Sequence, residues 1–274
     1  MIKKKNSLLN TYFFTGLLLL TFLGTIKTSL AQENLSGKEF ELTAFEIMEK
    51  VSAQMKYPEG LNKIQLTLTD QAARTVVYKG TLYQKKDDSL FMFDSMRAGR
   101  VLKLLFNNSG LDIYAYLVHE RRFFHKRAGD RFESVLDSGF YYADLSNSPF
   151  LENFTPRING TENKNGKNLL RVENIPLDRG KYSRLNVLVD PGDEYKVRRI
   201  DFFDTSGVLL KSLEVTFADM PVKTAEAKNT AVNHAVKWDM IDMSRGTIAT
   251  LEFLLADQTA RLDKSLFQRE NIEK

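Results

Sequence analysis

The sequence predicts a mainly β protein built on one antiparallel sheet. Three observations point there. Short runs of alternating apolar residues recur from Ile64 onward, the spacing of half-buried strands. Tight-turn residues separate those runs. Helical spacing is confined to one opening segment, so nothing supports a layered arrangement of alternating strands and helices.

The opening segment is a helix. Thr43-Ala44-Phe45-Glu46 forms a capping box, in which the Thr43 hydroxyl and the Glu46 carboxylate satisfy end N–H groups reciprocally. Ala44, Met48, Val51 and Met55 then follow at helical spacing, and Pro58 ends the helix near Tyr57. One face is apolar, so the helix must cover something.

Strands follow. Ile64, Leu66 and Leu68 alternate with Gln65, Thr67 and Thr69. Val76–Gln84 and Leu90–Ser95 flank the turn Lys85-Lys86-Asp87-Asp88. Arg100–Asn107 runs through Asn107-Asn108-Ser109-Gly110 into Asp112–Val118. Later strands are expected at Asn168–Asn174, Ser183–Val189, Tyr195–Asp204, Val208–Phe217, Ala231–Trp238 and Thr247–Ala256. Asp190-Pro191-Gly192-Asp193 and Asp204-Thr205-Ser206-Gly207 close hairpins. About eleven short strands make one meander. Ser138–Gly166, broken by Pro149 and Pro156, is expected as a loop with a short helix; Ala218–Asn229 is expected to be irregular.

Several strands are apolar on both sides. Leu102, Leu104 and Phe106 point one way, Val101 and Leu105 the other; Tyr114 and Tyr116 oppose Ile113, Ala115 and Leu117. A sheet with one wet face alternates more cleanly. Either both faces are covered, or one face lines an apolar cavity.

The first residues carry a different signal. Lys3, Lys4 and Lys5 precede an apolar stretch containing Leu17–Leu20, Phe22 and Leu23, and Ser29-Leu30-Ala31 supplies small residues at the cleavage positions. The pattern predicts a secretory signal peptide over residues 1–31, with residues 32–274 as the mature domain. Its removal takes away four lysines and no acids, leaving 35 basic and 35 acidic residues. The basic balance thus belongs to the leader, and nucleic-acid binding loses its compositional support. The chain has no cysteine. It has no disulfides to staple it and no lipid-acceptor cysteine, so its core must hold it together.

Catalytic constellations are missing from the sequence. The three histidines are His119, His125 and His234. Six residues of extended chain put His119 and His125 about 20 Å apart, too far to share a metal within one strand. No HExxH, GxSxG or phosphate-binding loop occurs. No cofactor, no metal and no enzymatic activity is expected.

The stretch from Asp112 to Leu145 is the most distinctive. An aromatic alternating strand runs into Arg121, Arg122, Lys126 and Arg127, interleaved with Phe123 and Phe124. With "AFEIMEKVSAQMKYP", "FMFDSMRAGRVLKLLF", "DIYAYLVHERRFFHK", "LDSGFYYADL", "DTSGVLLKSLEV" and "DKSLFQRENIEK", the chain resembles the outer-membrane lipoprotein-sorting proteins, relatives of the carrier LolA and the receptor LolB. Phe140, Tyr141, Asp144 and Leu145 stand at matching places; Val118 stands where that family usually turns with a proline.

The resemblance implies a single antiparallel sheet curled into an unclosed half-barrel, its concave face covered by the N-terminal helix and short helices. It implies a monomeric periplasmic carrier that moves acyl chains of lipoproteins or phospholipid toward the outer membrane. Its partners would be an inner-membrane transporter or an outer-membrane acceptor. The alternatives are an envelope stress sensor and an accessory subunit of an inner-membrane lipid export system. On this reading Leu66, Leu68, Leu102, Leu104, Phe106, Tyr114, Tyr116, Leu185 and Val187 line an apolar concave wall. Arg121, Arg122, Lys126 and Arg127 stand at its rim to meet a membrane or a partner.

The leader generates one test. Intact-mass measurement of the protein from an envelope fraction should give a chain beginning at Gln32. A mass that retains residues 1–31 overturns the cleavage.

Overall fold

The computed structural model describes residues 41–95, 99–146, 153–177, 180–226 and 230–274. The expected signal peptide lies outside the described residues. Helix α1 spans Ala44–Gln54, and its first turn carries the predicted capping box: the Thr43 side chain accepts from the Glu46 N–H, and Glu46 accepts from the Thr43 N–H at 2.8 Å.

Among the described residues, thirteen strands form one sheet. The first six are β1 (Gly60–Thr69), β2 (Thr75–Lys85), β3 (Asp88–Ser95), β4 (Gly99–Asn107), β5 (Asp112–Leu117) and β6 (Arg122–Lys126). After the segment that contains the short helix α2 (Tyr142–Leu145) come β7 (Phe154–Lys164), β8 (Lys167–Pro176), β9 (Tyr182–Asp190) and β10 (Lys196–Asp204). The last are β11 (Leu209–Lys223), β12 (Thr230–Asp242) and β13 (Thr247–Asp257). Each group is a meander, and antiparallel pairing of β1 with β13 joins the two. The sheet is therefore mainly antiparallel, unclosed, and edged by β6 and β7.

The strands number thirteen among the described residues rather than about eleven, because neither β6 nor β7 is among those expected. Two expectations about irregular regions also need correcting. The region expected as a loop up to Gly166 contains β7, whose Pro156 sits opposite Asn174. Proline is tolerated there because β7 is an edge strand, where one side of the backbone has no ladder to feed. Its exposed and half-buried residues alternate along the whole strand, so it lacks the apolar run that marks an interior strand. The second irregular stretch is half strand: β11 continues through Lys223, with Val222 opposite Thr230.

The sheet is curled. The ring of Tyr57, just beyond α1, lies 5.5 Å from Phe91 of β3, 5.6 Å from Trp238 of β12 and 5.7 Å from Phe253 of β13. Residues on strands several places apart thus meet around one ring. The resulting interior is one continuous apolar cluster fed by nearly every strand. Helix α1 sinks Ile47, Met48 and Val51 into it, all wholly buried.

The convex face is covered too, over β3 to β6. Leu90, Leu105 and Tyr116 pack there against Phe267 and Ile272 of the C-terminal segment. Three side chains of the sheet fasten that segment by its carbonyls. Lys85 donates to Leu262 at 2.5 Å, Asn107 to Phe267 at 3.1 Å and Lys103 to Ile272 at 2.7 Å. Burial lowers the pKa of the Lys103 ammonium. Two-sided apolar strands therefore have a plain cause here: each face has its own cover.

Phe267 is the main apolar plug of that cover, 6% exposed. Phe267→Ala should lower the unfolding free energy by about 3 kcal/mol, read by urea denaturation. A loss below about 1 kcal/mol would mean that the segment is only loosely laid on the sheet.

Candidate functional site

β6 and β7 follow one another in the chain yet lie at opposite edges of the sheet. The connection between them has to travel from one edge to the other. Residues 127–146 of it are a strap of short turns and α2 lying over the interior. Val135, Phe140 and Leu145 of the strap are at most 2% exposed, sunk in the same cluster as the sheet. Tyr142 is also buried there.

Polar contacts hold the strap at both ends and in the middle. Near its start, Lys126 pairs with Glu133 at 2.5 Å, and its ammonium lies 4.9 Å from the rings of Phe124 and Tyr142. Arg131 donates to the Gly110 carbonyl at 3.0 Å. At the far end, the Tyr57 hydroxyl donates to the Leu145 carbonyl at 3.1 Å. Gly110 has φ 80°, and a Cβ there would sit 2.3 Å from that of Ser146. No side chain fits between this turn and the strap's end.

The centre of the strap is an ion pair. Lys211 of β11 is 1% exposed at its side chain and Asp144 of α2 is 7% exposed. The Lys211 ammonium donates to Asp144 Oδ2 and, at 3.0 Å, to the Gly139 carbonyl. It lies 3.3 Å from the Tyr141 ring centre, 5.2 Å from Phe202 and 5.6 Å from Tyr182. Asp144 also accepts from the Tyr182 hydroxyl at 3.0 Å and from the Tyr141 N–H at 2.6 Å. One carboxylate thereby ties the strap to β9 and β11.

The surroundings shift several groups. Burial pushes the Lys211 pKa down, and Asp144 only partly offsets that. Burial, then the Asp144 charge, raises the phenols of Tyr57, Tyr182 and Tyr141. Tyr142 is pushed up to about 12 by burial and by Glu133.

Beside the ion pair the strap backbone is strained. Leu136 and Asp137 both hold left-handed conformations, φ 51° and 58°, which disfavour non-glycine residues by roughly 1–2 kcal/mol each. Asp137 meets Arg245 at 3.1 Å. A cleft opens here among Leu68, Asp137, Ser138, Arg245 and Ile248, at one end of the interior.

The structure sorts the expected site residues. Leu66, Leu102, Leu104, Phe106, Leu185 and Val187 all belong to the interior cluster, each at most 2% exposed, and Leu68 packs against it partly buried. Tyr114 and Tyr116 do not join them, which corrects the expected wall. Tyr116 pairs with Lys103, and Tyr114 with Leu105, across from the neighbouring strand; their pleat positions face the convex side under the C-terminal segment. Arg269 lies over Tyr114 at 5.9 Å and over Phe123 at 5.2 Å.

The basic group divides as well. Arg121, Arg122 and Arg127 are exposed. Arg121 turns the β5–β6 hairpin at φ 51°, Arg122 pairs with Glu120 at 3.3 Å, and Arg127 donates to His125 at 2.8 Å. Lys126 is 9% exposed and paired with Glu133, so it is corrected from rim cation to strap anchor. The Asp144–Lys211 pair went unseen in the sequence. Its traces were a lysine at an interior pleat position of "DTSGVLLKSLEV" and Asp144 in "LDSGFYYADL", with nothing in the sequence to join them.

A family model described as "-like: Uncharacterized protein" matches residues 85–274. No curated protein matches the chain. Among solved structures, it is similar to a domain from Vibrio parahaemolyticus described as an outer membrane lipoprotein-sorting protein domain. The two are 19% identical, with a TM-score of 0.66 over 84% of this chain and 98% of that one. A DUF1329 family protein from Desulfovibrio piger matches at 17% identity and TM-score 0.69, over 84% and 97% of the two chains. A LolA superfamily protein from Nitrosomonas europaea matches at 16% and 0.62, over 84% and 99%. These likenesses establish the fold.

The buried pair makes its own prediction. Asp144→Asn or Lys211→Met alone leaves one buried charge without its partner and should destabilise the protein by about 3–5 kcal/mol. The double variant should lose much less than the sum, because apolar or neutral replacements tolerate the same burial. Denaturant unfolding of all four proteins checks it; additive losses would mean that the two groups do not act as a pair.

Proposed function

We infer from two facts, that the chain belongs to the family whose model spans residues 85–274 and that it has the fold of outer membrane lipoprotein-sorting and LolA superfamily proteins, that it is a periplasmic, non-enzymatic carrier of acyl chains. A leader ending at Ala31 delivers residues 32–274 to the periplasm. There the half-barrel takes acyl chains of lipoproteins or lipids and moves them toward the outer membrane. An inner-membrane transporter supplies them or an outer-membrane acceptor receives them. The exposed Arg121, Arg122 and Arg127 meet anionic lipid at either surface.

One observation carries this reading: the interior is closed by α1 and a strap rather than by a second sheet, and the strap contributes side chains that resemble cargo. Val135, Phe140, Tyr142 and Leu145 lie buried in the interior cluster. Burying side chains of this kind is worth roughly 1.5–3 kcal/mol each, so roughly 6–12 kcal/mol for the four. An acyl chain of about fifteen methylenes is worth roughly 12 kcal/mol at ~0.8 kcal/mol per CH₂. Burial of an acyl chain thus matches or exceeds what these four side chains contribute, so an acyl chain can compete with the strap for the same interior.

Organic extracts of the protein purified from the envelope, without detergent, should contain acyl lipid at about one carrier load per chain by mass spectrometry. Extracts with no acyl species, from protein whose interior also excludes added lipid, would overturn the carrier reading.

A further inference from the structure

When the strap leaves, Asp144 leaves with it and Lys211 does not. Lys211 belongs to β11, in the wall of the half-barrel; Asp144 sits on α2 of the strap. On the carrier reading above, on which this inference rests, an acyl chain enters by displacing Val135, Phe140 and Leu145. The same movement takes away both hydrogen-bond acceptors of the ammonium, the Asp144 carboxylate and the Gly139 carbonyl. It also takes the nearest ring, Tyr141.

What remains around Lys211 is poor company for a bare cation. Phe202 of β10 and Tyr182 of β9 stay, but ring faces attract a cation without accepting its hydrogen bonds. Asp242 of β12 attracts Lys211 from further off, but its Oδ1 is committed to the Ser244 and Arg245 N–H groups and the Ser244 hydroxyl, and its Oδ2 stands 4.0 Å from Arg245 Nε. Lys181 repels it. A buried charge without a counter-charge is unfavourable, and a group that restores the pairing is selected.

We propose that the cargo is an aliphatic chain bearing an anionic group, a fatty-acid carboxylate or a phospholipid phosphate, and that this anion takes the place of Asp144 on Lys211. The site then discriminates against acyl esters whose polar end carries no charge, the diacylglyceryl anchor of a lipoprotein among them. Phe202 and Tyr182 flank the headgroup, while the apolar wall of Leu102, Leu104 and Val187 takes the chain.

The test uses one chain with and without its charge. cis-Parinaric acid and its methyl ester are titrated into the purified protein at neutral pH and followed by fluorescence. The ester is the more apolar of the two, so burial alone favours it. The proposal expects the acid to bind more tightly by roughly tenfold or more. In the Asp144→Asn, Lys211→Met double variant, with folding checked by circular dichroism, the preference should vanish while the ester still binds. Displacement of the bound acid by oleate or by phosphatidylglycerol, against diacylglycerol as the neutral control, tells carboxylate from phosphate.

Equal binding of acid and ester by the unaltered protein overturns the anion and leaves the carrier reading standing; this comparison needs no variant to fold. A preference that survives in the double variant overturns the assignment to Lys211. Binding of neither probe overturns this inference and the carrier reading together.

Discussion

β1 pairs with β13 from Leu61 opposite Asp257 to Thr69 opposite Ile248, and that ladder decides where the rest of the chain must go. Without it the chain would be two meanders, each with an apolar face to hide. With it they become one sheet whose two edges are consecutive strands. In a curled sheet the shortest link between those edges runs across the open side, and the chain takes it. A strap over the interior is therefore a consequence of strand order before it is a device of function. Right-handed strand twist curls so long a sheet, and the curl brings Phe91, Trp238 and Phe253 around Tyr57.

Two kinds of contact hold the strap, and they differ in what can replace them. Val135, Phe140 and Leu145 contribute burial, which is non-directional and roughly proportional to area. Any aliphatic surface of similar size serves as well. The Asp144 carboxylate contributes direction: it accepts from Lys211, from the Tyr182 hydroxyl and from the Tyr141 N–H. Only another anion in the same place satisfies the ammonium. The apolar contacts thus hold the strap by area, and the ion pair holds it by position. The same strap also holds left-handed backbone at Leu136 and Asp137, a conformation that persists only where surrounding contacts enforce it.

The convex face follows a different logic. Its apolar residues over β3 to β6 are capped by a segment fastened through backbone carbonyls. Burial there serves stability. The aromatic strand and basic hairpin, which in sequence look like one motif, are split by the pleat. Tyr114, Tyr116 and Phe123 go under the C-terminal cover, and Phe124 goes to the interior side. Of the four cations, three remain in water and one anchors the strap. Charged residues on an edge strand also discourage edge-to-edge pairing, which gives Arg122 of β6 a structural use whatever else it meets.

Sequence alone determined the capping box of Thr43 and Glu46, the interior strands, the hairpin turns and the alternation that groups Leu102, Leu104 and Phe106 on one face. All of these rest on neighbours within a few residues, where spacing is geometry. It missed β7, because an exposed edge strand carrying Pro156 has neither an apolar run nor a full ladder to announce it. It set Tyr114 and Tyr116 in the wrong wall, because a period of two says which residues share a face within a strand but not which face the next strand presents to the interior. The Asp144–Lys211 pair lay beyond reach altogether. Its members are 67 residues apart and meet only because the β1–β13 ladder puts β6 and β7 at opposite edges. What the tertiary structure decided is the set of contacts whose cause is long-range strand order, and the site is made of those.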